Sequence, residues 1–332
     1  MANEKGNARG AFKTSIGGQA LIEGILMRGP DKQAIACRLA DGTIQTKTDP
    51  LEMTKEKHPI LGVPFLRGVP AFLDSMVKGM QALTYSAELL PEEEQEEPDK
   101  LDLWLEKHLG SERASQAVIA VALVLGVALA IGLFVLLPAI LFELLPQDLH
   151  LVLRCILEGA IRIVIFLAYL WFCTRVDDVK RLFSYHGAEH KTIYCYEKHL
   201  ELTVENVRRQ SRFHPRCGTS FLLVVMVIAI LVVSVMTWVL SLIPAIAALS
   251  RIPAALVRIL AKLIVLPLIV GITYEVNRWV GRHDENLLAR IVAWPGKKLQ
   301  HLTTQEPDDG MIECAITALK LVIPEEEGAD EW

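Results

Sequence analysis

The sequence predicts a mainly α-helical membrane protein. It has about four transmembrane helices, a small α+β N-terminal cytosolic domain and a helical C-terminal cytosolic segment. Three observations predict this. Hydrophobic residues make up 52% of the 332, too many for an ordinary pair of soluble domains. Four apolar runs, about Ala114–Ile140, Leu151–Cys173, Thr219–Ala247 and Ile252–Tyr274, reach the roughly 20 helical residues that cross a hydrocarbon core about 30 Å thick. Lys and Arg are distributed unevenly: nine lie between the second and third runs, from Arg175 to Arg216, whereas residues 141–150 hold none. The connection after the third run holds only Arg251. Basic connections stay in the cytosol, so both termini and residues 174–218 are expected there.

Residues 10–90 read as the α+β domain. Asp41-Gly42, between Ala34–Ala40 and Thr43–Thr48, is a two-residue hairpin signal. Pairing across it would put Ile35, Cys37 and Leu39 on one face with Ile44. Phe72, Met76, Met80, Leu83 and Ala87 recur at helical spacing over residues 71–87, with Asp74, Lys78 and Gln81 elsewhere. Residues 91–113 read as an acidic linker, and residues 114–280 as the membrane domain. Its second run carries Arg154, Glu158 and Arg162 one turn apart, and its fourth carries Arg258 and Lys262. A charge within a membrane costs at least about 2.5–3.5 kcal/mol, so these two spans are expected side by side, with Glu158 paired to Arg258 or Lys262. An alternative makes Arg251–Lys262 an interfacial helix and starts the last span near Leu263.

Residues 281–323 form the helical C-terminal segment. Glu285–Lys298 has helical periodicity through Leu287, Leu288, Ile291 and Trp294, and Pro295-Gly296 is expected to end it. Asp308-Asp309 can cap a last helix carrying Met311, Ile312, Ala315, Ile316 and Leu319. Residues 324–332 read as an acidic tail. A net charge of -5 gives no basic field for nucleic acid, so no nucleic-acid partner is expected. Residues 1–16 lack the apolar core of a signal peptide. The six cysteines form no CxxC pair and read as reduced thiols.

The sharpest chemical signal is His186-Gly-Ala-Glu189-His190. On a helix, His186, Glu189 and His190 share one face. Two imidazoles one turn apart can hold one Zn²⁺, and a glutamate between them can orient or deprotonate a bound water. The alternative is a polar helix end at the membrane surface. A second cluster, His214-Pro-Arg-Cys217, lies just before the third run and offers two further zinc ligands. Its alternative is a loop shaped by Pro215 and Gly218, with Cys217 buried as a small hydrophobe. If His186, His190, His214 and Cys217 converge, Glu189 need not be a ligand and is available as the catalytic base. Glu275 is a weaker additional candidate. The third signal, Ile16 to Pro30, contains Gly17-Gly18, Gln19, Glu23 and Arg28. It has no phosphate-loop spacing, and a glycine-punctuated strand and turn is the better reading.

Several long blocks, GGQALIEGILMRGP, PFLRGVPAFLDSMVKGMQAL, YHGAEHKTIYCYE, RFHPRCGTSFL and TTQEPDDGMIECAI, follow one another from about Gly17 to Leu319. In these the chain resembles the YqhQ-like family of bacterial multi-pass membrane proteins, a domain of unknown function described as predicted metal-dependent enzymes. The resemblance implies a multi-pass protein of the bacterial cell membrane. By resemblance, the positions carried over are His186, Glu189 and His190, then His214 and Cys217.

Two functions are therefore expected as competitors. One is a membrane-embedded zinc enzyme, hydrolytic, with its site at the cytosolic membrane surface and a membrane-protein segment or lipid-linked group as substrate. The other is a non-enzymatic membrane factor, with a structural metal clip or no metal, that docks a cytosolic or membrane-protein partner. Transport is less favoured, since four spans show no inverted repeat. In every case the lipid bilayer is a partner. The regions before the first span and after the fourth are expected to pack on one another near the HGAEH segment, with Gly17–Pro30 and Thr303–Pro307 contributing to one surface.

Overall fold

The computed structural model describes residues 12–51, 63–90, 111–143, 151–283, 285–326 and 328–331. Strands β1 (Gly17–Leu21), β2 (Gly24–Arg28), β3 (Lys32–Arg38) and β4 (Ile44–Pro50) form an antiparallel sheet in sequence order. The described helices begin with α1 (Gly68–Glu88), α2 (Ser111–Ile131), α3 (Leu137–Glu143), α4 (Leu151–Cys173) and α5 (Asp177–Glu197). They continue with α6 (Val204–Arg208), α7 (Phe221–Ser241), α8 (Pro244–Ala247), α9 (Arg251–Arg282), α10 (Leu287–Thr303) and α11 (Asp309–Val322). The molecule is thus mainly helical with a small N-terminal antiparallel sheet. Among the described residues, three helical stretches, Ile156–Cys173, Leu222–Leu240 and Ile259–Arg282, are long and apolar enough to cross a membrane. The chain divides into two compact units, residues 90–171 and the remainder.

Side-chain alternation along the sheet builds two cores. Ile25, Met27, Ala34 and Ala36 meet Tyr185 and Ala188 of α5 and Ile312, Ala315 and Leu319 of α11. Leu21, Leu26, Ile35 and Cys37 point the other way, onto Ala82 of α1. The order of layers is therefore α5 and α11, sheet, α1. The expected cap of α11 is present: Asp308 accepts a hydrogen bond from the Met311 N–H at 2.8 Å.

The hairpin register differs by one residue from the expected one. Arg38 pairs with Ile44, and Leu39 N–H donates to Thr43 O at 2.9 Å. The loop is Ala40-Asp41-Gly42, with Gly42 at φ 84°, a three-residue turn whose last residue must be left-handed. A one-residue shift exchanges faces, so Ile44 joins the α5/α11 core while Ile35 and Cys37 stay on the α1 side.

Helix α1 covers the expected stretch and turns its small residues inward. Gly68, Gly79, Ala82 and Ser86 are buried, whereas Phe72, Met76, Met80 and Leu83 are exposed. Helix α10 runs through Pro295-Gly296 rather than ending there. Gly296 and the following Leu299, Gln300 and Thr303 are buried, so packing outweighs the lost proline N–H. The acidic tail is not free. Asp330 is buried, accepts from the Thr14 hydroxyl at 2.5 Å, and its segment bridges Thr14 to Glu331.

In the unit of residues 90–171, α2 passes through a π-helical turn, Gly132–Leu136, into α3. Helix α4 has the bounds expected of the second span, and Glu158 is engaged by Arg162 one turn along it. The side chains of Arg154 and Arg258, and most of the acidic linker, lie outside the described residues. Helix α9 is continuous from Arg251, with Pro267 inside it, so no break separates an interfacial piece near Leu263. Its 32 residues would extend about 48 Å, well beyond a hydrocarbon core. The described cysteines Cys37, Cys173, Cys195, Cys217 and Cys314 are all free thiols.

Candidate metal centre

Helix α5 opens on Asp177 and Asp178, which suit the positive end of a helix. Two turns later it presents His186, Glu189 and His190 to the interior, all buried. The loop before α7 brings up the second cluster, and Gln300 of α10 clamps it. Its Oε1 accepts from the His214 N–H at 2.8 Å, and its Nε2 donates to the His214 carbonyl at 2.7 Å.

Donor atoms of His186, His190 and Cys217 all lie within 4.8 Å of one another. His186 Nε2 is 3.1 Å from Cys217 Sγ. The opposite nitrogens settle the tautomers. His186 Nδ1 lies 2.7 Å from the Thr303 carbonyl, and His190 Nδ1 lies 2.5 Å from the Arg212 carbonyl. A carbonyl only accepts, so each Nδ1 carries a proton and donates it. Each Nε2 is then left with a lone pair in the neutral ring. That of His190 is buried and has no hydrogen-bond partner among the described residues. Imidazoles oriented by backbone carbonyls, with lone pairs converging beside a thiol, are the arrangement a metal ion requires. The donor set therefore fits the group.

His214 stands outside this trio. Its ring is 5.7 Å from that of His190 between centroids, but its Nε2 faces Glu197 at 3.3 Å. Glu197, buried, also binds the Arg216 guanidinium and accepts from the Thr14 N–H at 3.1 Å. Glu275 is elsewhere, held bidentately by Arg67 at 2.7 and 2.6 Å.

Glu189 lies against the sheet edge. Its Oε1 accepts from the Gly18 N–H at 3.0 Å. A Cβ on Gly18 would sit 3.0 Å from the Glu189 Cδ and 2.6 Å from the Leu26 carbonyl, so only glycine allows this approach. Burial raises the Glu189 carboxyl above its usual range, and His186 and His190 offset this in part. Burial would raise Cys217 too, but His190 and His186 outweigh it and hold the thiol well below its ordinary value. Burial would lower His186, yet Cys217 and Glu189 push it up to about 9. His214 goes the other way, to about 3, through burial and then the charge of His190. The trio thus favours a thiolate, the form that binds metal.

Two further segments frame the site. Gln305 N–H donates to the Phe183 carbonyl at 2.8 Å, and the Gln305 carbonyl occupies the space a side chain on Gly187 would need. Arg212 donates to the Thr304 carbonyl at 2.7 Å, and Lys191 pairs with Glu306 at 2.8 Å. The other is the β1–β2 turn, where Glu23 adopts φ 48° and is held by Arg181 and Tyr185 of α5. Gly17–Pro30 and Thr303–Pro307 thus both lie against the HGAEH segment, as expected.

The model of a family described as protein of unknown function (DUF1385) matches residues 63–325. The chain belongs to this family. A curated member-like relative, "Uncharacterized protein YqhQ" of Bacillus subtilis (strain 168), is 32% identical over 308 residues, covering 91% of this chain and 90% of that protein. No solved structure matches. The family model takes in HGAEH, HPRC and the Thr303–Pro307 segment. The relative's coverage is too broad to leave out more than a small part of the chain.

Proposed function

We propose that this chain is a membrane-embedded, zinc-dependent hydrolytic enzyme with its site at the cytosolic membrane surface. The observation that carries the reading is a trio of convergent donors, His186, His190 and Cys217, with the Glu189 carboxyl beside them. Three protein ligands support an open site, since a closed structural zinc takes four. When bound, zinc supplies a Lewis acid and brings a water toward ionisation near neutral pH. The chain's own groups do the rest. The Thr303 and Arg212 carbonyls keep both Nε2 atoms facing inward. The Gly18 amide holds one Glu189 oxygen, and burial raises the carboxyl above its usual range, which favours its taking and returning a proton. A two-imidazole, one-thiolate set also suits copper; the adjacent proton-transfer group is what favours zinc. The substrate class is a membrane-protein segment or a lipid-linked group.

A second reading rests on burial. His186, His190 and Cys217 are only 8%, 1% and 7% exposed, which favours a structural clip in a non-enzymatic membrane factor. Replacing zinc by cobalt in the purified full chain separates the two. In an open site, an added hydroxamate changes the cobalt spectrum; a site closed by four protein groups leaves it unchanged.

The membrane reading is supported by the three apolar helices and by connectivity. The sheet packs on α5 and α11, so these elements share one side of a bilayer. The chain between Glu88 and Asp177 then crosses an even number of times, as does the chain between Cys217 and Asp309. Helices α7 and α9 satisfy the second condition. Helix α4 needs a companion crossing, and the shorter apolar stretch Val121–Phe134 is the candidate for it. The Lys and Arg asymmetry assigns the shared side to the cytosol. Cysteine labelling at positions 92, 147, 199 and 305 is expected to reach only Gln147 from outside. External labelling at His199 would refute both the topology and a cytosolic site.

A further inference from the structure

Helix α1 has three faces, and one of them is exposed. Its small face is buried: a Cβ on Gly68 would meet Tyr274 at 2.7 Å, and Gly79 lies against Gln19. Its polar face is engaged, with Asp74 binding Arg28 at 2.7 Å and Lys78 at 2.8 Å, and Gln45 donating to Tyr85 at 3.1 Å. The third face carries Phe72, Leu73, Met76, Val77, Met80 and Leu83, exposed by 51, 56, 49, 56, 43 and 38%. A contiguous apolar face of this kind marks an interaction surface.

Its position identifies the occupant. Just before α1, Phe65 adopts φ 66° and its N–H donates to Glu275 at 3.2 Å. The Phe65 carbonyl fills the space beside Gly271, and Arg67 forks onto Glu275. Gly271, Tyr274 and Glu275 belong to the second half of Ile259–Arg282, the stretch of α9 able to cross a membrane. The apolar face of α1 therefore begins beside the second half of that stretch.

Helix α10 repeats the pattern independently. Its Ala289 and Ala293 pack on Val280 of α9. Leu287, Leu288, Ile291 and Trp294 face outward, exposed by 69, 63, 57 and 61%. Cations accompany this face: Arg290 and Lys297 are exposed, and the Lys298 ammonium lies 6.0 Å from the Trp294 ring centre. An apolar face edged by cations, continuous with a membrane span, is suited to the headgroup boundary of an anionic bilayer.

We infer that α1 and α10 are interfacial helices, their outer faces set into the cytosolic leaflet. The inference rests on the membrane reading of α7 and α9. It deepens the proposed function, because Gln19 touches α1 while the adjacent Gly18 touches Glu189. The site is then tied to the lipid surface through β1 and α1.

The test uses the full chain with a genetically encoded keto amino acid, spin-labelled, in phosphatidylcholine vesicles containing phosphatidylglycerol. Labels replace Leu73, Met76 and Ile291, with Gln81 on the polar side of α1 and Leu231 within α7 as references. Collision with oxygen, which concentrates in lipid, is compared with collision with a water-soluble nickel chelate. The oxygen-to-nickel ratio is expected to be about tenfold higher at Met76 than at Gln81, as for a helix half-sunk in the interface. Leu73 and Ile291 should agree with Met76, and Leu231 should read deeper. Lipid contact at Leu231 with water-like values at Met76 and Ile291 would overturn the inference and leave the membrane reading standing. Shielding of Met76 from both reagents would assign the face to a protein partner or a second copy, also overturning it. Water-like values at Leu231 would instead remove the membrane reading itself, and the inference with it.

Discussion

Cys217→Ser is expected to reduce zinc in the purified chain from stoichiometric to trace, and His186→Ala and His190→Ala should do the same. Each removes one of the three donors that converge among the described residues. His214→Ala is expected to retain zinc, because both its ring nitrogens are occupied, Nε2 by Glu197 and Nδ1 by the Arg216 N–H at 3.4 Å. Gln300→Leu breaks both hydrogen bonds to the His214 backbone and loosens the loop that carries Cys217. A supporting group of that kind is worth about 10–100-fold in metal affinity. Glu189→Gln is the decisive variant. A glutamine keeps the oxygen that accepts from Gly18, so zinc should stay; turnover should fall by about 10²–10⁴ if the carboxyl transfers the proton. Metal analysis of the variants gives the first half. The second compares membrane proteins and lipids from cells carrying the wild type or E189Q, in which the uncleaved substrate accumulates. Loss of zinc from E189Q would make Glu189 a ligand. Retained zinc with unaltered membranes would favour the structural clip.

Part of this arrangement is legible in the sequence. Helical spacing alone brings His186, Glu189 and His190 together, and Asp308 announces its own helix. Other parts are not, for identifiable reasons. An Asp-Gly pair fits both two- and three-residue hairpin loops, and only packing against α5 and α11 decides which face Ile44 takes. Periodicity in α1 reports that an apolar face exists, not what it meets; small residues turned out to be the inward ones. The diversion of His214 depends on Glu197, two turns after His190 on α5. That spacing is a signal, but an acidic residue near a helix end reads as solvated. Gln300 acts on a loop 86 residues away, and no local pattern reveals it. Gly18 is similar. Its glycine pair reads as a turn, whereas its role is to admit the Glu189 side chain to a strand edge.

Gly187→Ala is the second large effect expected, and it tests the frame of the site rather than its ligands. Gly187 lies between the histidine that meets Thr303 and the glutamate that meets Gly18. The Gln305 carbonyl occupies the place of its missing side chain, with Pro307 Cδ 3.5 Å away. That obstacle is backbone, tied down by the Gln305 N–H bond to Phe183 and by Arg212 on Thr304. It cannot rotate aside as a side chain would. A methyl group must push Thr303–Pro307 off α5, at about 3 kcal/mol, the upper part of the range for overpacking. Because the Thr303 carbonyl holds His186 Nδ1, the same displacement should weaken zinc binding although no ligand is altered. Gly17→Ala is the matched control, since nothing lies within 4 Å of its added Cβ. Thermal unfolding of both variants, with and without added zinc, is the measurement. A marked drop in midpoint for Gly187→Ala alone, with a smaller zinc-induced gain than in the wild type, is expected. Equal midpoints for the two variants would mean that Thr303–Pro307 does not rest on α5, and that the orientation of His186 has another source.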